Sequence, residues 1–386
     1  MSHGVIPDML PPVRLMHLDP FDGLQEQTLV LATGLRAAGL DVQIYCCREA
    51  PLFKQAVEAG VRVRALPSAG KIFGLRQLWS LWRALRSDAR QGKRRAILHA
   101  CDEAALLLAC RYRRMPGGAH PVCGTRATTA VPGQRALQAC RAAAICICTS
   151  RAGMAALVEQ GIDASCVLAV PAGLHPGGCR PRPSRTDERV VFCVPGMLIA
   201  DNGFEFVIDA LAILARETGL PPWEVHVPGM GPQLAALVDR AKQAGVDRYM
   251  AFFGGFEENR IMRHSDVCVV PETRAQGDGF SILRGWAAGM PVLAAGDTAN
   301  REYVVHGRNG MCFARGNAES LADCMAQYMR DPSLAESFAG AGARSLKQYP
   351  VGQLVRLHCD AYARCVEISA IRAAEKRGKR FLGFDL

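Results

Sequence analysis

The sequence predicts an α/β protein built from two doubly wound parallel-sheet domains with a cleft between them. Three observations predict it. Strand-sized apolar runs alternate with helix-sized stretches from Val13 to Pro171. That alternation makes parallel sheets covered on both faces. A stretch rich in proline, glycine and arginine, PAGLHPGGCRPRPSRT over Pro171–Thr186, then breaks it without any visible period, as a linker does. The alternation restarts at Arg189 and continues to the last quarter of the chain. At 386 residues two domains are expected. The boundaries read 1–172 for the first domain, 173–188 for the linker and 189–350 for the second, leaving 351–386 as a terminal helix.

In the first half, Val13–Leu18 reads as a strand and Gln25–Ala38 as a helix. Strand Asp41–Cys46, helix Pro51–Ala59 and strand Val61–Leu66 follow. Leu75–Gln91 is a helix, Ala96–His99 a strand, Glu103–Arg114 a helix and Pro121–Gly124 a strand. Strand Ala143–Thr149 runs into helix Ser150–Gln160, where Ser150 has the side chain of an N-cap. Val167–Pro171 closes the half. The second half repeats the logic. Strand Arg189–Val194 precedes helix Gly203–Glu217, and strand Trp223–Val227 enters the turn Gly229-Met230-Gly231-Pro232 before helix Gln233–Ala244. Strand Met250–Phe253, helix Glu257–His264 and strand Val267–Val270 come next. A Gly-rich loop (Gly277-Asp278-Gly279-Phe280), a short helix and a Gly289-Met290-Pro291-Val292 turn lead to another strand and a loop ending near Glu302. Helices Ala318–Arg330, Pro332–Tyr349 and Val351–Arg377 finish the chain.

Composition excludes several classes. No apolar run approaches the roughly 20 residues needed to span a bilayer, and Met1–Pro12 lacks the pattern of an export signal. The sixteen cysteines form no Cys-x-x-Cys pair. They read as small core residues of a reducing compartment, with Cys146 and Cys148 on one face of a buried strand. No metal site is expected. The net charge of +10 is uneven: residues 1–175 hold 21 basic and 12 acidic side chains, a balance of +9. Lys71–Arg95 is the densest cluster, with eight basic residues against Asp88. Such asymmetry implies an anionic partner for the first half. On helix Leu75–Gln91, Leu75, Leu78, Trp82, Leu85 and Ala89 share a stripe, with Arg76, Arg83, Arg86 and Arg90 elsewhere and Trp79 flanking. This reads either as a packed helix with a solvated basic face or as a contact for an anionic membrane surface or glycan. No aromatic-basic motif supports nucleic-acid binding, and no Gly-x-Ser-x-Gly elbow supports a hydrolase.

The chemistry concentrates in Ser265–Phe313. A strand, a Gly-rich loop, a helix and another strand build a ligand crevice at the carboxyl edge of a sheet. Glycines allow close approach there, and amides at a helix start bind anions. The turn Gly229-Met230-Gly231 is no dinucleotide fingerprint, because the third position is Leu234.

In order and spacing these pieces resemble the retaining glycosyltransferases of the two-Rossmann-domain (GT-B) type, in the large family 4. The likeness rests on Asp22-Gly23-Leu24-Gln25 with Gly34–Gly39, on Ile97-Leu98-His99-Ala100-Cys101-Asp102, on Ala144–Gly161, on Val194–Gly203, on Val225–Gly231, and on the Ser265–Phe313 stretch. It implies a sugar nucleotide held by the second domain, an acceptor on the first, and a final helix crossing back onto the first domain. Donor contacts fall at Gly196, Met197, Asn202, Gln276, Gly277, Asp278, Gly279, Phe280, Arg284 and Glu302; acceptor-side positions are Asp22 and Gly23; His99 and Arg126 are catalytic candidates. Four positions depart from the family. Met197 and Asn202 stand where Arg and Lys are usual, and Gln276 and Arg284 where two glutamates are. Cations there stabilise the departing diphosphate, on a scale of about 3–4 kcal/mol per donor. Arg284 has only donors and cannot accept from a ribose as Glu does.

The resemblance implies metal-independent transfer with retention, no cofactor beyond the nucleotide-diphosphate sugar as substrate, and a lipid-linked or lipopolysaccharide acceptor reached from the cytoplasmic side of the inner membrane. Two other readings stay open: a non-catalytic scaffold or glycan-binding protein of the same fold, and a nucleotide-sugar epimerase using Glu272, Asp278 and Glu302.

Overall fold

The computed structural model describes residues 10–20, 23–68, 75–90, 95–175, 189–255, 258–272, 279–296 and 299–381. The chain divides into two units. The first comprises Met1–Ala127, Val131–Val170 and Val351–Leu386; the second comprises Thr128–Ala130 and Pro171–Pro350.

The first unit runs β1 (Val13–His17), α1 (Gln25–Ala37), β2 (Val42–Cys47), α2 (Pro51–Glu58), β3 (Val63–Leu66), α3 (Leu75–Arg90), β4 (Ile97–Ala100) and α4 (Glu103–Tyr112). It continues through β5 (Val122–Arg126), α5 (Gln134–Ala142), β6 (Ile145–Cys148), α6 (Arg151–Glu159) and β7 (Val167–Ala169). The strands pair in parallel in the order β3-β2-β1-β4-β5-β6-β7. Leu15 of β1 sits between Ile44 of β2 and His99 of β4. Every residue of β1 and β4 is buried, because helices cover both faces. Side chains of successive residues leave on opposite faces. Leu15 joins Ile44, Leu35 of α1 and Tyr362 on one side; Met16 joins Tyr45, Leu81 of α3 and Leu106 of α4 on the other.

The last helix, α13 (Val351–Phe381), belongs to this unit. It supplies Leu354, Tyr362 and Cys365 to the first of those cores. Gly34 of α1 permits the approach: a Cβ there would come within 2.6 Å of Val355.

The second unit runs β8 (Val190–Cys193), α7 (Phe204–Leu214), β9 (Trp223–Val227), α8 (Leu234–Gln243), β10 (Met250–Phe252), α9 (Glu258–Arg263) and β11 (Val267–Val270). Then come α10 (Phe280–Ala287), β12 (Val292–Ala295), β13 (Met311–Phe313), α11 (Ala318–Arg330) and α12 (Ser333–Leu346). Its parallel order is β10-β9-β8-β11-β12-β13, the doubly wound arrangement with its switch point between β8 and β11. Phe192, Val225, Val267 and Leu293 pack there against Phe204 and Leu211 of α7 and Met325 of α11.

Two elements were not expected from the sequence. Helix α5 has only nine residues and buries Ala136, Ala139 and Cys140, too short a stretch to show a clear apolar period. Strand β13 has only three residues and is fixed by pairing with β12. Ser150 does cap α6, accepting from the Gly153 amide at 3.0 Å.

All described cysteines except Cys110 and Cys312 are buried, and all are free thiols. Burial pushes the thiols of Cys46, Cys148 and Cys268 up to about 12. They behave as small apolar residues.

Candidate functional site at the sheet edges

In the second unit, the loops leaving β8, β9 and β11 lie at the carboxyl edge of one sheet. The β8–α7 loop carries Gly196, Met197 and Asn202. It is locked to the β9–α8 turn: Leu198 N–H donates to Met230 O at 2.8 Å, and Gln233 N–H donates to Leu198 O at 3.1 Å. A Cβ at Gly229 would overlap the Gly196 carbonyl oxygen, so the two backbones touch where only glycine fits. Gly196 itself has φ +127, a conformation glycine adopts freely. Asn202 is spent inside the loop, donating from Nδ2 to Met197 O at 2.8 Å.

From the neighbouring strand β11 the chain reaches α10. Gln276, Gly277 and Asp278 lie outside the described residues. Gly279 is the N-cap of α10 at φ +70 and has no side chain of its own to cap the helix. The ring of Tyr303 lies where a Gly279 side chain would be, and Phe280 is buried beside it. Helix starts of this kind present amides suited to an anion. Arg284, one turn on, donates to Glu258 Oε1 at 2.9 Å and Asn259 Oδ1 at 3.1 Å, tying α10 to α9. Glu302 ends a short 3-10 turn after β12 and is exposed. Glu272 follows β11, half-buried.

In the first unit, Asp22 lies outside the described residues, and Gly23 has open space around it. His99 of β4 is fully buried. Its Nδ1 meets the Tyr362 hydroxyl at 2.8 Å and its Nε2 the Thr125 hydroxyl at 2.7 Å. Burial, and then the neighbouring His358, hold its pKa well below the ordinary histidine value, so the ring is neutral near pH 7. Arg126 lies 3.7 Å from Glu103 with its side chain 11% exposed.

Reasoning from the sequence missed several neighbours of His99. Gln27 and Thr28 of α1 and His358 of α13 share with His99 and Thr125 the wall of a small cavity. Asp102 caps α4 through the Ala105 amide at 2.7 Å and also accepts from the amides of Leu18 and Asp19. An Asp at a strand-to-helix turn was a readable cap signal; His358 and Tyr362, four apart on one helix, were a readable pair. Among the described residues, no group of three or more His, Cys, Asp or Glu side chains is set to hold a metal ion.

Comparison with known proteins meets this geometry. The family model described as "Glycosyltransferase Family 4" matches residues 21–176, and that described as "Glycosyl transferases group 1" matches residues 188–331. The chain is 26% identical over 191 residues to a GDP-mannose-dependent alpha-(1-6)-phosphatidylinositol monomannoside mannosyltransferase of Mycobacterium tuberculosis, covering 45% of this chain and 49% of that protein. It is 29% identical over 162 residues to the lipopolysaccharide core biosynthesis glycosyltransferase LpsE of Rhizobium meliloti, covering 42% and 44%. The matched part spans about half the length or less of such curated relatives. In fold it is similar to HepE of Anabaena, whose crystal structure holds UDP and glucose, with TM-score 0.76, 16% identity, and 92% and 99% of the two chains covered. With a 7-stranded and a 6-stranded parallel sheet, and a family 4 match on one followed by a group 1 match on the other, this chain belongs to the retaining group 1, family 4 glycosyltransferases of GT-B fold.

Proposed function

We propose that this protein transfers a sugar from a nucleotide-diphosphate donor to a lipid-linked, lipopolysaccharide or other cell-envelope glycan acceptor, with retention and without a metal. The observation that carries the reading is the edge of the second sheet. There the Gly196 loop is locked to the Gly229–Gly231 turn, next to the start of α10 at Gly279. In this reading the donor diphosphate lies along Gly196, Met197, Asn202 and Gly279–Phe280, with Gln276, Gly277 and Asp278 completing the loop and Glu302 on the sugar side. Arg284, held by α9, fixes the pitch of α10. His99 and Arg126 serve the acceptor side with Asp22 and Gly23, His99 as a neutral orienting group.

Relatives support the donor and acceptor classes. HepE is solved with UDP-glucose, and LpsE is named for lipopolysaccharide core biosynthesis. A thermal-shift panel of UDP-, GDP- and ADP-sugars tests the donor. Stabilisation by RT ln(1 + [L]/Kd) is expected for at least one, about 2.7 kcal/mol at a hundredfold excess over Kd. A folded protein indifferent to every member would favour a non-catalytic scaffold or glycan-binding protein.

We further propose a peripheral site of action at the cytoplasmic face of the inner membrane, contacted through the basic segment 71–95. Among the described residues no helix is long and apolar enough to cross a membrane. Helix α3 buries Leu81, Ala84 and Leu85. Leu75, assigned by its periodicity to the inward stripe, is instead 68% exposed, and Trp79 is 57% exposed. The Arg83 guanidinium lies 5.4 Å from the Trp79 ring centroid. Exposed apolar groups flanked by arginines suit an anionic interface, where each basic residue contributes about 1 kcal/mol. Co-sedimentation with phosphatidylglycerol vesicles is expected at low salt, weakening as salt rises. Trp79→Ser with Arg83→Glu should reduce it about tenfold or more. Equal binding by wild type and variant would remove the proposal.

A further inference from the structure

The cavity in the first unit measures about 20 Å³. That is room for one water-sized group. Leu24, Leu31 and Cys101 form its apolar wall; Gln27, Thr28, His99, Thr125 and His358 form its polar wall.

His99 has nothing left to offer, since both ring nitrogens are engaged. His358 differs. Its Nδ1 lies 2.8 Å from Leu354 O. A carbonyl only accepts, so Nδ1 carries the hydrogen. Burial pushes the pKa of His358 down to about 4, against the opposing effect of that hydrogen bond. The ring is therefore neutral near pH 7, and Nε2 is a bare lone pair. No described residue donates to it. Gln27 is 7% exposed, and its Oε1 is buried without a hydrogen-bond partner. Buried polar atoms left unmatched in this way are the exception in folded proteins. One unmatched acceptor, Gln27 Oε1, thus shares a small cavity with the neutral His358 ring, and no cation stands in its wall.

We infer that this cavity seats one uncharged hydroxyl or hydroxymethyl group of a sugar or polyol, which donates its hydrogen to His358 Nε2 with Gln27 as second partner. The inference rests on the proposed transferase reading, in which the first unit carries the acceptor; it names His358 and Gln27 as specificity-determining residues there. A phosphate or carboxylate is disfavoured, because it brings only acceptors to the Gln27 oxygen and the His358 lone pair and would lie in a cavity without a counter-charge.

The test uses the full chain without nucleotide, with histidine rings labelled in ¹⁵N, and follows His358 Nε2 by NMR. The probes are D-glucose, D-galactose, D-mannose and myo-inositol, with glucose 6-phosphate as the anionic control. At least one neutral polyol should shift the Nε2 resonance saturably, as expected when a bare lone pair accepts a hydrogen bond. Affinity should fall about tenfold in His358→Phe and in Gln27→Leu, and His358→Gln should recover much of it. Gln27→Leu also serves if His358→Phe fails to fold. An Nε2 resonance indifferent to every neutral polyol would mean a structural water site only, and would overturn the inference. Tighter binding of glucose 6-phosphate than of glucose would overturn it as well. The donor panel separates the two levels: a response to nucleotide sugars alongside silence at His358 removes this inference and leaves the transferase reading intact.

Discussion

Asp102→Ala is expected to destabilise the first unit by about 3 kcal/mol or more. One carboxylate serves three backbone amides: Ala105 at the start of α4, and Leu18 and Asp19 just past β1. Its residue is only 3% exposed. Losing the cap alone costs about 1 kcal/mol. Each buried amide left without its acceptor adds about 1–3 kcal/mol, and bonds to a charged acceptor lie at the upper end. Asp102→Asn keeps one acceptor oxygen but turns donors toward donors, so it should recover only part of the loss. Urea unfolding of the full chain, followed by a probe in the first unit, reads the effect. A midpoint shift equivalent to less than 1 kcal/mol in Asp102→Ala would show that the three bonds are replaced by water at little cost. The cavity beside His358 is affected too: the segment pinned by Asp102 leads into Leu24 and α1, which form one of its walls.

The second large effect is expected in the other unit. Gly229→Ala places a methyl group into the Gly196 carbonyl oxygen. Both partners are backbone, so no side-chain rotamer relieves the overlap; the loops must separate. Overpacking of this kind typically costs about 1–3 kcal/mol and sometimes more. On the scale of about 2–4 °C per kcal/mol for a unit of this size, the Tm should fall by roughly 6–12 °C at the upper end. Separation of the loops also breaks the Leu198–Met230 and Gln233–Leu198 bonds, so the response to nucleotide sugars should fall with the Tm. Gly352→Ala is the control. Nothing lies within 4 Å of a Cβ there, the position is helical, and alanine in a helix is favourable by up to about 1 kcal/mol. A Gly229→Ala protein that melts with the wild type and keeps its donor response would show that the contact between the two loops is not needed.

The sheet strands were legible because their signal is local. Runs such as Val267–Val270 and Ile145–Cys148 are apolar throughout, as strands buried on both faces must be. Pro271 and Ser150 marked where those strands give way. The amphipathic period of α3 gave the helix but mistook its exposed end, because Leu75 carries no local mark of facing outward. Helix α5 and strand β13 were missed for the opposite reason: at nine and three residues, both are too short to show a clear period. At the candidate site, the sequence offered residues one loop at a time. It could not show that Arg284 reaches Glu258, 26 residues upstream. Nor could it show that His99 meets Tyr362, separated by 263 residues. Pairings of that kind are products of helix packing, and no spacing rule anticipates them.

The many thiols in the two cores carry a consequence for handling and turnover of the protein. Folded, Cys46, Cys148 and Cys268 are held by burial as unreactive neutral sulfhydryls, with values near 12. Melting returns each to the ordinary thiol range, where a few per cent of thiolate at neutral pH suffices for exchange. A chain that opens even briefly in air can therefore cross-link wrongly and fail to close again. Its working lifetime outside a reductant is set by how often the cores open, a rate rather than an equilibrium.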